Sequence, residues 1–165
     1  VGDEGKVCTY DRREEFSALA KKNAEKWGVA HRIEFNVRSL DEGFKERDAD
    51  AVFLDIPTPW EYIDKAYEAL APGNHLGILV PTANQISETL VKLSEFGFAD
   101  VQVVELMLRY YKTEPNRIRP EDVMIGHTGY LIFAVKTLPL PDQVPSEDVD
   151  GDAATEAVAE EEATE

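Results

Sequence analysis

Short apolar runs of strand type alternate along this chain with segments whose apolar residues recur at helical spacing. No other feature restricts its fold as strongly. Lys6–Tyr10 (KVCTY) is a β-type run. Glu14–Trp27 places Phe16, Leu19, Ala20, Asn23, Ala24 and Trp27 on one helical face, with Gly28 as the stop. Arg32–Val37 alternates like a strand, and Asp50–Leu54 (DAVFL) is a continuous apolar run that suits a strand covered on both faces. Thr58-Pro-Trp-Glu61 reads as a capping box with Pro59 at the first helical position. Trp60, Ile63, Tyr67 and Leu70 continue that helix until Pro72-Gly73. His75–Val80 is a further strand, and Thr82-Ala-Asn-Gln85 is a second capping box. Ile86, Leu90, Leu93 and Phe96 form the helix face it starts, and Gly97 ends it. Val101–Leu108 and Tyr130–Lys136 are the last strands, separated by a polar loop at 109–128.

Strands joined through helices pair in parallel, because the crossover must return the chain to the same edge of the sheet. The expectation is therefore an α/β, Rossmann-like sheet, mostly parallel, with helices on both faces. The last two strands have no helix between them and are expected to form an antiparallel pair. A chain of 165 residues, 43% hydrophobic, suits one domain with its own core. No apolar run approaches the roughly 18 residues of a membrane span. The single Cys8 excludes an intrachain disulfide and a Cys-based zinc site, and fits a reducing cytoplasm. The formal charge of −16 is unevenly placed, since residues 138–165 hold ten acids and no Lys or Arg. That stretch buries too little apolar surface to offset its ordering entropy and is expected to be a disordered acidic tail behind a domain at 1–137.

In sheets of this kind ligands bind beyond the carboxyl ends of the strands. The residues that follow the apolar runs are Asp11, Asn36, Asp55 and the segment Pro81–Gln85. A carboxylate accepts two ribose hydroxyls at once, and Asp11 fits that role, although Asp11-Arg-Arg-Glu14 also reads as a helix-capping box. Asp55 ends the most apolar strand and precedes Pro57 and Pro59, which stiffen the turn. A rigid carboxylate there can accept a proton or hold an amino group, or simply cap the turn. His127 has no Cys or carboxylate at ligand spacing and is expected to be structural, in a turn set by Gly126 and Gly129.

Three segments together resemble a known family. Asp50-Ala-Val-Phe-Leu-Asp-Ile-Pro-Thr-Pro-Trp-Glu61 is similar to the segment after the fourth strand in tRNA (adenine-58-N1)-methyltransferases, of the archaeal, bacterial and eukaryotic catalytic-subunit type. Gly5–Phe16 looks like their second strand and its ribose acid, and Arg119–Leu131 like the loop into their last strand. The resemblance covers residues 2–136. It implies a class I S-adenosylmethionine-dependent methyltransferase that modifies N1 of adenine in the T-loop of tRNA, at position 58 and as a further option 57. Asp11, Arg12, Asn36 and Asp55 are then the cofactor-binding residues. Asn36 falls where the family often has Asp against the adenine amino group, and Asp55 matches the catalytic acid. The resemblance also implies a homo-oligomer, a tetramer in most members.

The chemistry is consistent. Adenine N1 is itself the nucleophile, and methylation leaves positive charge shared with the 6-amino group. A fixed carboxylate accepting from that group stabilises the charge and can take the proton, with no metal. The target base must leave its stack, and Trp60, Tyr110 and Tyr111 are aromatic enough to receive it, although core positions suit them better. The loop from Arg109 to Arg119 packs four bases and two aromatics into eleven residues. Arg109, Tyr111, Lys112, Arg117 and Arg119 are the expected RNA contacts.

A methyltransferase of this class opens with a strand, a Gly-rich loop and a helix, yet no G-x-G-x-G occurs here and the chain opens at Val1. The expectation is an N-terminally truncated catalytic domain whose absent strand belongs between the strands at 6–10 and 50–54, leaving two unpaired edges and an uncovered apolar face. The competing readings are a non-catalytic RNA-binding subunit of the same fold, a nicotinamide-dependent oxidoreductase, and a class I methyltransferase acting on a small molecule or protein.

Overall fold

A computed structural model describes residues 1–138. Apart from Leu138, the stretch expected to be a disordered acidic tail lies outside the described residues. The elements run β1 (Val7–Asp11), α1 (Glu14–Lys26), β2 (Ile33–Val37), β3 (Ala49–Leu54), α2 (Ile63–Ala69), β4 (Leu70–Val80), α3 (Ala83–Glu95), β5 (Phe98–Glu105), β6 (Tyr111–Lys112), β7 (Arg119–Pro120) and β8 (Tyr130–Lys136). The strand–helix alternation is the expected one, and the 109–128 loop adds the small antiparallel ladder β6–β7.

The strands fall into separate ladders. β1 and β2 pair in parallel, and β3, β4, β8 and β5 form a four-stranded sheet in that order. β3 and β4 are parallel, whereas β8 runs antiparallel to both of its neighbours. The expected antiparallel pair of the last two long strands is thus present, with β8 inserted beside β4. Among the described residues β1 pairs only with β2 and β3 only with β4, so each keeps one free edge there.

The core lies on one face of the four-stranded sheet. Val52, Leu54, Leu76, Ile78, Val80, Ile132 and Ala134 point to that face and meet Ile63 and Ala66 of α2 and Leu93 of α3. Period-two alternation sends Phe53, Gly77 and Phe133 to the opposite face, where they lie side by side across the ladder. Phe53 is 58% exposed there. The expectation that Asp50–Leu54 is covered on both faces fails for this reason: α2 and α3 stack on one side, while α1 packs on β1 and β2. The face expected for α1 is likewise open. Ser17 and Ala24 are its buried residues, and Trp27 is 80% exposed. Two strands are too narrow to cover an apolar helix stripe.

Local signals set several boundaries. Gly28 adopts φ 71° and its N–H bonds the Glu25 carbonyl, which stops α1. At Thr82 both arms of the capping box form with Gln85. The box expected at Thr58 does not form. Thr58 precedes a 3₁₀ turn, Pro59–Tyr62, and its hydroxyl bonds the Glu61 side chain at 2.7 Å instead of a backbone N–H. β5 begins at Phe98, three residues earlier than expected. Thr137 N donates to the Gly97 carbonyl at 2.8 Å and draws Phe98 opposite Lys136. Leu106–Leu108 then leave the sheet and are exposed.

Candidate active site

Asp11 is the last residue of β1, and its carboxylate is half-buried. Oδ1 accepts from the backbone N–H of Arg13 at 2.9 Å and from its Nε at 3.2 Å, while Nη2 lies 3.4 Å from Oδ2. The Arg13 guanidinium and then its backbone N–H hold the Asp11 carboxyl below its usual range. The N-cap of α1 is Arg13, so Asp11 does not form the capping box that its sequence also allows. Its carboxylate remains charged and open on one side at a strand's carboxyl end.

Asp55 follows β3 directly and is exposed. It enters no ion pair among the described residues. Its turn is anchored from the neighbouring strand end, because Gln85 Nε2 donates to the Pro57 carbonyl at 2.9 Å. The same side chain accepts from Thr82 N at 3.1 Å. The first turn of α3 therefore holds the turn that carries Asp55.

Asp41, in the 3₁₀ turn Leu40–Glu42 after β2, joins these strand ends to each other. Tyr62, which closes the turn after Asp55, donates to Asp41 Oδ1 at 2.9 Å, and Ser39 donates to Oδ2 at 2.6 Å. The Ser39 hydroxyl, then Tyr62, then the nearby positive charge of Arg12 lower the Asp41 pKa. Arg38 N donates to the Asp11 carbonyl at 3.1 Å. The ends of β1, β2 and β3 thus meet through the Arg38–Asp11 and Tyr62–Asp41 bonds. None of Ser39, Asp41 and Tyr62 stands out in the sequence, since only a fold pairs residues so far apart; the Ser-x-Asp spacing is the one local trace.

Asn36 lies one residue before the end of β2, where the sequence places it. It lies opposite Tyr10 in the β1–β2 register, whereas Asp11 lies opposite Val37. Alternation therefore puts Asn36 and Asp11 on opposite faces of the ladder. Asn36 is 5% exposed, and Lys45 Nζ bonds its Oδ1 at 2.5 Å. Lys45 takes one of the two lone pairs of the Asn36 carbonyl oxygen, and Nδ2 is unpartnered.

On that same face Cys8, Glu34 and Glu46 bring ligand-type atoms within 4.8 Å of one another. Lys6 Nζ lies 2.5 Å from Glu34, and the Tyr10 hydroxyl bonds Glu46, so the carboxylates already have partners. Burial, then the Glu46 carboxylate, pushes the Cys8 thiol up to about 11, which keeps it protonated at neutral pH.

The expected RNA contacts sit on and around the β6–β7 ladder. Arg109, Tyr111, Arg117 and Arg119 are exposed. Lys112 bonds Asp122, and Arg119 Nη1 lies 3.6 Å from the same carboxylate, so two of the four bases share one acid. Tyr110 and Tyr111 are exposed and not core, because the two-residue strands pack on nothing wide enough to bury them.

The family described as tRNA methyltransferase complex GCD14 subunit matches residues 1–125. TrmI of Methanocaldococcus jannaschii, a tRNA (adenine(57)-N(1)/adenine(58)-N(1))-methyltransferase, is 32% identical over an alignment covering 81% of this chain and 57% of that protein. Among solved structures, a SAM-dependent O-methyltransferase from Thermotoga maritima has a TM-score of 0.82 and 49% identity, over 85% of this chain and 53% of the other. The tRNA (m1A58) methyltransferase TrmI from Aquifex aeolicus has a TM-score of 0.75 and 35% identity, over 81% of this chain and 54% of the other. The chain spans about half the length of these relatives. Among the described residues no helix is long and apolar enough to cross a membrane.

Proposed function

This chain belongs to the family of the tRNA methyltransferase complex GCD14 subunit, and from that premise we propose that it carries half of an active site that methylates N1 of adenine in the T-loop of tRNA. The observation that carries the reading is the exposed Asp55 carboxylate at the end of β3, on a turn held by Gln85 beside the rim formed by Asp41 and Tyr62. Adenine at position 58 is the favoured target, with 57 as the second site, as the name of the Methanocaldococcus relative suggests. The partner is tRNA, the assembly a homo-oligomer, and the compartment the cytoplasm.

S-adenosylmethionine, when bound, supplies an electrophilic methyl group. Asp11 would hold its ribose, because a charged carboxylate with Oδ2 only weakly engaged can still accept from hydroxyls. Arg12 lies at the same strand end. Asn36, on the other face of the β1–β2 ladder, would offer the adenine amino group the remaining lone pair of an amide oxygen that Lys45 already bonds. Asp55 would accept a hydrogen bond from the 6-amino group of an extruded adenine, stabilise the positive charge that develops on the ring, and take the proton. Arg109, Tyr111, Lys112, Arg117 and Arg119 would meet the RNA backbone and unpaired bases. The free edges of β1 and β3 support the expectation that a further strand completes the sheet between them.

Replacing Asp55 with Ala in the native polypeptide should reduce methyl transfer to a tRNA transcript by about 100-fold or more, with S-adenosylmethionine affinity kept within a few-fold. Unchanged turnover would remove Asp55 from the chemistry. The Thermotoga relative's description keeps an O-methyltransferase reading in view. Methylation lost when A58 is replaced by G in the transcript favours the tRNA reading, and transfer to a hydroxyl acceptor favours the other.

A further inference from the structure

Both ring nitrogens of His127 face acceptors from different parts of the four-stranded sheet. Nδ1 lies 2.5 Å from Glu105 Oε1, at the end of β5. Nε2 lies 2.7 Å from the carbonyl oxygen of Pro81, immediately after β4. An ionised carboxylate and a peptide carbonyl have no proton to donate. A neutral imidazole carries a single N–H, so it would turn one of these two short contacts into a repulsion between lone pairs. The Tyr130 ring, at the start of β8, lies against the imidazole with centroids 4.7 Å apart. His127 therefore touches the ends of three strands that are adjacent in the sheet, β4, β8 and β5.

The position matters because the chain leaves the sheet at Glu105 and returns at Tyr130. The regular structure in that excursion is the β6–β7 ladder of two residues a side, which pairs with itself and with no strand of the main sheet. We propose that His127 carries a proton on each ring nitrogen and acts as a positioning residue, a clasp that fastens the 106–129 excursion to the ends of β4 and β5 only while it is charged.

The groups facing the ring are the Glu105 carboxylate from β5, the Pro81 carbonyl after β4 and the Tyr130 ring from β8. The Glu105 carboxylate, then the Pro81 carbonyl, raise the His127 pKa above its usual 6.5. A proton held more tightly in the folded state stabilises the clasp fully below the unfolded value, and the clasp is released as pH rises through the raised one. Pro81 adjoins Thr82, whose partner Gln85 holds the turn carrying Asp55, so the clasp fastens the basic, aromatic loop to the same rim. An effect on methyl transfer rests on the activity proposed above; the ordering of the loop does not.

The test is an NMR titration of His127 in the native polypeptide, alongside amide protection factors for residues 106–129. His127 should titrate above 6.5, and loop protection should fall by about fivefold or more at the same midpoint. Glu105→Gln should bring both midpoints down together, and His127→Gln should make loop protection independent of pH. If His127→Gln does not fold, the joint shift in Glu105→Gln decides alone. Titration at or below 6.5, or loop protection indifferent to it, would overturn the clasp. An inactive enzyme with a normal titration would count against the methyltransferase reading only.

Discussion

The Tyr62 hydroxyl donates to Asp41 Oδ1 at 2.9 Å, and this one bond ties the segment after β3 to the segment after β2. β2 and β3 belong to different ladders. A bridge between them keeps the two strand ends at a constant separation, which a nucleoside pocket spanning both requires. Tyr62→Phe removes the donor and little else. Cofactor affinity should weaken by about three- to tenfold, from the roughly 0.5–1.5 kcal/mol of one hydrogen bond. Isothermal titration of S-adenosylmethionine into the native polypeptide and its variant checks this, and an unchanged affinity would separate the bridge from the pocket.

Arg13 acts on Asp11 through both guanidinium and backbone N–H. A carboxyl depressed in the folded state contributes stability that is present above its unfolded value and lost as pH falls through the lower, folded one. Arg13→Ala removes the larger influence, so the Asp11 midpoint should rise toward its usual 3.8. Carboxyl-carbon NMR across the acid range reads that shift. At neutral pH the carboxylate stays charged either way, and ribose binding should change little.

The bases of the β6–β7 region are not equivalent. Lys112 and Arg119 share Asp122, whereas the exposed Arg109 and Arg117 enter no ion pair among the described residues. Arg109→Ala and Arg117→Ala should each weaken tRNA binding and lower the slope of log affinity against log salt by about 0.7–0.9. Asp122→Asn should act in the other direction, because it releases two cations. Filter binding at several salt concentrations distinguishes these outcomes from a loop that does not touch RNA.

Lys136, near the end of β8, donates from Nζ to the carbonyls of Tyr67 and Leu70, both at 2.7 Å, and its ammonium lies 4.2 Å from the centre of the Tyr67 ring. It thus caps the carboxyl end of α2 from a strand far along the chain. Burial lowers its pKa, but at neutral pH it stays charged. Lys136→Met keeps the stem and abandons two carbonyls. A loss of about 1–3 kcal/mol in urea unfolding is expected, and no loss would show that water satisfies those carbonyls equally well.

Much of this molecule is legible one turn at a time. The Thr82–Gln85 box, the Gly28 stop and the strand at Tyr130–Lys136 are local matters of capping, left-handed backbone and apolar spacing, and each lies where the sequence puts it. Asp11 and Asp55 at strand ends follow from the same periodicities. What the tertiary structure alone decided are relations between distant segments: β8 beside β4, Asn36 turned away from Asp11 toward Lys45, Tyr62 on Asp41, and both nitrogens of His127 on the sheet. Strand pairing and register determine the first two, since a shift of one residue sends every side chain to the other face, and the loops that the paired strands bring together determine the others. Periodicity along the chain carries the spacing of a face but not its partner. The reach of a side chain across the sheet is therefore invisible until the strands are paired.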